Sequence, residues 1–271
     1  MYLTRHQTSI GTQWARDGEL LPPSFTLSGW LELPASNASD ILRRYPTGDA
    51  APEQVLAPID PHQEVWASGV TYLRSRDARM AESTVNDIYQ RVYEAERAEV
   101  FFKAPGWRVV GQDEPVRVRK DSTWSVPEPE LVLVFNSRLE IVGYSAGNDV
   151  SSRSIEGENP LYLPQAKCYN GACSLGPGIV VAGVDEMSNL AIQLRIFRRG
   201  AEVFRGETST SSLKRTLEDL VHYTGLELSF PFGGFLMTGT GVVPPDEFSL
   251  QAGDHVDVSV GDLLLRNGVR S

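Results

Sequence analysis

Residues 126–150, VPEPELVLVFNSRLEIVGYSAGNDV, decide how the rest of the chain is read. ELVLVF and IVGYSAG read as strands from their apolar and β-branched runs, and the turn centred near Ser137-Arg138 makes them an antiparallel hairpin. Side chains alternate across a strand, so Glu128 and Glu130, two residues apart, point to the same side. The returning strand brings Asp149 roughly opposite residues 126–128, where cross-strand neighbours lie about 5 Å apart. Three carboxylates then crowd one end of a sheet, and their repulsion is costly unless a cation sits among them. Ligands that are all oxygen favour Mg2+, Mn2+ or Ca2+ over zinc. The bland alternative is a solvated strand edge with Asp149 as a cap, and Pro127 and Pro129 suit a sheet end on either reading.

Outward from this hairpin the chain stays β-rich. VRVRK (116–120), GIVVAG (178–183), LAIQLRIFR (190–198) and AEVFRGE (201–207) are short strand candidates, separated by turn residues such as Asn136-Ser137 and Arg199-Gly200. VWASGVTYL (65–73) is another. A helix is predicted over 211–226, with Leu213, Leu217, Leu220 and Val221 on one face. A second, heavily charged helix is predicted over 83–100, with Ser83 as N-cap and a thin stripe of Val85, Ile88 and Val92. That pattern suits a mobile lid or a lightly packed surface helix. The first 64 residues, broken by LLPPS, ELPAS and YPTGDAAPEQ, predict a small strand-poor N-terminal domain, with LAPIDPHQ (56–63) as the linker to a larger domain over 65–271.

Composition narrows the function classes. The chain has 271 residues, 41% of them hydrophobic, and a formal net charge of −10, which argues against a nucleic-acid or anionic membrane surface. It has no apolar run near the roughly 20 residues of a membrane helix and no signal-peptide pattern at its start, so a cytoplasmic location is expected. Cys168 and Cys173 are five apart, which fits neither a redox C-x-x-C nor a zinc knuckle. His6, His62, His222 and His255 are scattered, so a zinc hydrolase or a Ser-His-Asp triad has no support.

PEPELVLVF, GYSAGNDVSSRS, GENPLYLPQAK and GACSLGP, with the distal FLMTGTGVVP and LQAGDHVDVSV, resemble the core motifs of the fumarylacetoacetate hydrolase superfamily from about Ala67 onward. The resemblance implies a mixed, mainly β fold, an antiparallel β-roll or sandwich with a few helices and a lid. It also implies a divalent cation, Mg2+ or Mn2+, on Glu128, Glu130 and Asp149, with Lys167 brought back to polarise the substrate, and a homodimer or homotetramer. Members of the family act on 2-oxo acids as hydrolases, decarboxylases, isomerases and dehydratases. All use a cation that chelates the carboxylate and 2-oxo oxygens and stabilises an enolate.

Hydrolytic relatives tend to carry N-Y-x-x-H where this chain has TYLRS (71–75). Tyr72 is kept, Thr71 replaces the amide, and Ser75 stands where the water-activating histidine would. GVTYLRSRDAR with GENPLYLPQAK instead resembles the sugar-acid dehydratase branch. The implied reaction is dehydration of a 2-keto-3-deoxy-pentonate, of arabinonate or xylonate type, to 2,5-dioxopentanoate in non-phosphorylative pentose catabolism. Glu99 is the candidate for proton transfer, and Tyr72, Arg74, Arg76, Lys103 and Thr240 for substrate binding. Glu99, Lys103 and the two arginines read equally as surface charges. Two other functions stay open: an acylpyruvate hydrolase or oxaloacetate decarboxylase of the same family, and a non-catalytic metal- or ligand-binding protein. The intact E-x-E and Asp149 with Lys167 argue against the last.

Overall fold

In the computed structural model, residues 1–82 and 86–271 are described. Ser83 and Val85, the expected cap and first apolar position of the charged helix, lie outside them. The chain begins with strands β1 (Tyr2–Thr8), β2 (Gly11–Arg16) and β3 (Glu19–Leu20), then helices α1 (Leu27–Trp30) and α2 (Ala35–Arg44). Next come β4 (Glu64–Gly69), helices α3 (Leu73–Glu82) and α4 (Asn86–Glu94), and β5 (Glu99–Pro105). Then β6 (Val116–Arg117), β7 (Ser125–Val126), β8 (Pro129–Phe135), β9 (Ile141–Asp149) and β10 (Ser151–Ser152) lead to helices α5 (Arg153–Glu158) and α6 (Leu163–Lys167). The remainder is β11 (Cys173–Val180), α7 (Val184–Met187), β12 (Ala191–Arg198), β13 (Ala201–Ser209), α8 (Leu217–Gly225), β14 (Gly234–Met237), β15 (His255–Val260) and β16 (Leu263–Arg270).

Two sheets pack face to face. The larger has the order β3-β2-β1-β11-β9-β8-β14-β4-β5 and the smaller β13-β12-β15-β16-β6, while β7 and β10 pair apart. Between the sheets lie Leu131, Leu133 and Phe135 of β8 with Ile192, Leu194, Val256, Val258 and Leu265 of the smaller sheet. The opposite face of β8, Val132 and Val134, packs with Trp14, Trp30, Leu31 and Leu42 of the N-terminal segment. Every residue of β8 is therefore buried, which is why ELVLVF is continuously apolar instead of alternating. The hairpin forms as read: Glu130 faces Gly147, Pro129 faces Asn148, and the Asp149 N–H donates to the Glu128 carbonyl at 2.9 Å. At the turn joining β12 and β13, Arg199 and Gly200 both take positive φ, 54° and 82°, which matches the twist of a two-residue hairpin.

Four local expectations are corrected. The first 64 residues are not strand-poor: β1 pairs with β11, so three N-terminal strands extend the main sheet. The buried side chains on one side of β1 are Thr4 and His6, hydrogen-bonded to each other at 2.7 Å, and a polar pair leaves no apolar alternation to read. The expected linker is packed, with Ala57 and Ile59 buried and the Leu56 N–H donating to the Arg5 carbonyl. The strand at 65–73 stops at Gly69, and a short helix, α3, follows from Leu73. The helix expected from 211 starts only at Leu217, capped by Thr216, whose side chain accepts from the Asp219 N–H. Among the described residues, no helix is long and apolar enough to cross a membrane.

Candidate active site

Glu128, Glu130 and Asp149 come together at the end of the β8-β9 hairpin. Each offers a carboxylate oxygen within 4.8 Å of the other two, and all three are buried. Burial, followed by the charges of Asp149 and Glu128, pushes the Glu130 carboxyl well above the usual carboxylate range. Its hydrogen-bond donor is the Gly239 N–H at 2.6 Å. That approach needs glycine: residue 239 has a φ of +88°, and a Cβ there would lie 2.1 Å from Thr71 Oγ1. Glu128 is the opposite case. Burial works against its charge, but Lys167 and Arg79 outweigh burial and hold it at about 2.

Three buried oxygen donors, one of them with its charge disfavoured by burial and its carboxylate neighbours, fit a hard divalent cation such as Mg2+. Around them, Glu99, Glu128, Glu130, Asp149 and Glu156 face Arg79, Lys103, Arg153 and Lys167.

Lys167 ends α6 and donates to Glu128 Oε2 at 2.9 Å, Asp149 Oδ2 at 2.9 Å and Ser151 Oγ at 2.6 Å. Burial disfavours its ammonium, yet Asp149 and Glu128 hold its pKa well above the usual lysine value. It is thus a cation and a hydrogen-bond donor at this site. Thr240 lines the cavity, its hydroxyl held in the turn by the Val242 backbone at 3.2 Å.

Glu99 opens β5 and lines the same cavity. Burial, then Glu156, raise its carboxyl to about 7 against the pull of Lys167 and Arg79. The carboxyl occupies the space beside Gly69, where an added Cβ would lie 2.2 Å from Glu99 Oε2. Gly69→Ala is therefore expected to displace that carboxyl and lower kcat while the thermal midpoint moves little. An unchanged kcat in a steady-state assay would contradict this placement.

Other expected residues are placed differently. Arg74 is exposed, and Arg76 is tied to Asp77 at 2.6 Å and stacked 5.1 Å from the Tyr93 ring centroid; neither lines the cavity. Both lie on the outward side of α3, whose inward side carries Ser75 and Arg79, one turn apart. Tyr72 is buried outside the cavity lining, its hydroxyl without a hydrogen-bond partner among the described residues and its pKa raised by burial and then by Glu130.

Lys103 also lies outside the lining. Its ammonium is paired with Asp149 and donates to the carbonyls of Lys167 at 2.6 Å and Val150 at 3.2 Å. The cause is a bulge: β5 carries Lys103 as an extra residue between the pairs Val65-Ala104 and Trp66-Phe102. Lys103→Met is expected to destabilise the protein by about 3–5 kcal/mol by leaving Asp149 under-compensated. A urea midpoint equal to wild type would restore a purely substrate-binding role.

Arg79, Arg153 and Glu156 were not singled out from the sequence. Arg79 bridges Glu128 at 2.8 Å and Glu156 at 3.3 Å; Arg153 bridges the same two at 3.1 and 3.8 Å. Helical spacing was the available signal for each, Ser75 to Arg79 on α3 and Arg153 to Glu156 on α5. The cavity itself is small, about 30 Å³, and among the described residues no histidine lines it.

The model of the fumarylacetoacetate (FAA) hydrolase C-terminal family matches residues 64–270. The chain belongs to that family. Within it, the chain is 48% identical over 204 residues to a probable 2-keto-3-deoxyxylonate dehydratase of Haloferax volcanii, covering 75% of this chain and 70% of the relative. It is 41% identical over 217 residues to the 2-dehydro-3-deoxy-D-arabinonate dehydratase of Saccharolobus solfataricus, covering 78% and 72%. A solved structure of 2-keto-3-deoxy-D-arabinonate dehydratase, complexed with magnesium and 2,5-dioxopentanoate, superposes with a TM-score of 0.84 at 32% identity, covering 100% of this chain and 99% of that one.

Proposed function

We propose that this family member is a Mg2+-dependent hydro-lyase that converts a 2-keto-3-deoxy-pentonate, of arabinonate or xylonate type, to 2,5-dioxopentanoate. The observation that carries the reading is a cavity that joins a three-carboxylate cluster to a carboxyl poised at about 7, with no histidine among the described residues of its lining. The named dehydratases to which the chain is similar support it. Hydrolysis of a C–C bond needs an activated water, whereas Ser75, at the position of the expected histidine, donates its hydroxyl to the Tyr72 carbonyl at 2.8 Å.

Glu128, Glu130 and Asp149 hold Mg2+ in this reading. When bound, it supplies the Lewis acidity that stabilises charge developing on the 2-oxo oxygen. Lys167 fixes two of the ligand carboxylates, and Arg79 and Arg153 brace Glu128. Glu99 takes the proton from C3 and hands it to the hydroxyl leaving C4, which departs as water; a carboxyl with a pKa near the working pH serves both directions. Tyr89, Phe101 and Leu163 line the cavity and keep bulk water from the reacting carbons. A five-carbon acid needs more room than about 30 Å³, so α4, which carries Tyr89, acts as the lid that moves to admit it.

The two free cysteines suit a reducing compartment and support a cytoplasmic setting. An assembly of two or four chains, implied by the family resemblance, is read by light scattering. The test of function is a substrate panel followed by NMR with Mg2+: arabinonate- and xylonate-type 2-keto-3-deoxy acids, an acylpyruvate and oxaloacetate. Conversion of a 2-keto-3-deoxy acid to 2,5-dioxopentanoate is expected. Cleavage of the acylpyruvate or loss of CO2 from oxaloacetate, with the sugar acids untouched, would replace the reading with a hydrolase or decarboxylase.

A further inference from the structure

The dehydratase reading leaves half of the chemistry without a residue. Loss of the C3 proton and the C4 hydroxyl gives a C3=C4 double bond conjugated with the 2-oxo group, with C5 still a CH2OH. The product has CH2 at C3 and C4 and an aldehyde at C5. A proton must therefore leave C5 while one returns to C3, shifting the double bond to C4=C5. The resulting enol then gains a proton on C4 and loses the one on its oxygen. Glu99 is restored to its starting state once water has left, and the shift from C5 to C3 needs a carboxylate within reach of C5, farther along the chain.

We infer that Glu156 is that base: its carboxylate takes the proton from C5 and delivers it to C3, an inference that rests on the dehydratase reading. Glu156 is 6% exposed and lines the cavity. Its Oε1 is held by Arg79 at 3.3 Å. Among the described residues its Oε2 has no hydrogen-bond partner, the Arg153 Nη1 standing off at 3.8 Å. A buried carboxylate with one oxygen anchored and the other unbonded has a lone pair ready for a proton.

Its position also suits C5. A second cavity of about 60 Å³ adjoins the first, lined by Ile88, Val92, Pro160, Leu163, Glu99 and Glu156, and none of the metal-site carboxylates reaches it. A substrate whose 2-oxo acid end lies at Glu128, Glu130, Asp149 and Thr240 extends its far carbons toward the junction of the two cavities. Glu99 and Glu156 both stand there. C3 and C5 are separated by a single carbon, so one carboxylate reaches both, and the proton it accepts is the proton it gives back. The Arg79-Glu128 and Arg79-Glu156 bridges further tie this base to the metal site through one guanidinium.

The test is Glu156→Gln with Mg2+ and the 2-keto-3-deoxy-pentonate, followed by ultraviolet absorbance and by a dehydrogenase that consumes the aldehyde. The variant is expected to consume substrate and accumulate the conjugated enone, while aldehyde forms about 10²-fold or more slowly. Aldehyde at the wild-type rate would overturn the inference. So would loss of substrate consumption with no enone, which would make Glu156 a support for Arg79 and Glu128 only. Should the variant fail to fold, wild-type enzyme with substrate deuterated at C5 gives the answer. Deuterium is expected at C3 of the product, and a C3 carrying only solvent hydrogen would refute the transfer. Wild-type protein inert toward the substrate would sink the dehydratase reading itself, a separate outcome.

Discussion

Glu99→Gln is expected to lower kcat by about 10²–10⁴, the usual worth of a positioned acid-base group, while Mg2+ affinity stays within a few-fold of wild type. The amide keeps the shape that fills the space beside Gly69 but takes no proton. In the wild-type enzyme the sign of the pH dependence follows from the same group. Glu99 must be ionised to accept the C3 proton, and burial with Glu156 raises its carboxyl to about 7. The rate should therefore climb with pH through about 7 and level above it, and Glu99→Gln should lose that limb. A pH profile and calorimetric Mg2+ titration on both proteins check this. A variant with wild-type kcat, or the same acid limb, would remove Glu99 from the mechanism.

Glu130→Gln is expected to remove the enzyme's response to Mg2+. Loss of Lewis-acid stabilisation costs several kcal/mol, about 10³-fold in rate at 1.36 kcal/mol per decade. Its effect on stability should run the other way. In the metal-free protein, burial and the charges of Asp149 and Glu128 raise the Glu130 carboxyl well above 4.5. A carboxyl raised in the folded state favours folding fully only below its unfolded pKa, and that contribution is lost as pH rises through the folded value. The amide carries no such penalty. Metal-free Glu130→Gln should thus unfold at a Tm equal to or above metal-free wild type at pH 8, and added Mg2+ should raise Tm only in wild type. Calorimetry in EDTA and in Mg2+ reads both. A variant that still responds to Mg2+ would show that Glu130 is no ligand.

The carboxylate cluster was legible because it depends only on strand alternation and one hairpin, both of which are local. Glu128 and Glu130 share a side, and the register that brings Asp149 to Glu128 follows from a short turn. Charges set by helices or bulges were not legible in the same way. On α3 the sequence drew attention to Arg74 and Arg76, and the helix, too polar to show an apolar stripe, turns Arg79 inward instead. In the crossing after Asp149, Glu158 at the end of α5 is exposed. Glu156 is the buried one, because Ser152 caps α5 and sets the phase of the helix. Lys103 shares the parity of Glu99 and Phe101, but the bulge breaks that parity and aims it at Asp149 from outside the cavity. The N-terminal strands were missed for a related reason: one side of β1 is filled by the bonded polar pair Thr4 and His6, which hides its alternation.

On the proposed reading, the Glu128-Glu130-Asp149 cluster holds a divalent cation which the dehydration requires. The most direct measurement strips the protein with EDTA, removes the chelator, and titrates Mg2+ back while a dehydrogenase reports 2,5-dioxopentanoate formed from the 2-keto-3-deoxy-pentonate. No product is expected without metal, with a saturable return of activity as Mg2+ is added. Full activity in the stripped protein would contradict that reading.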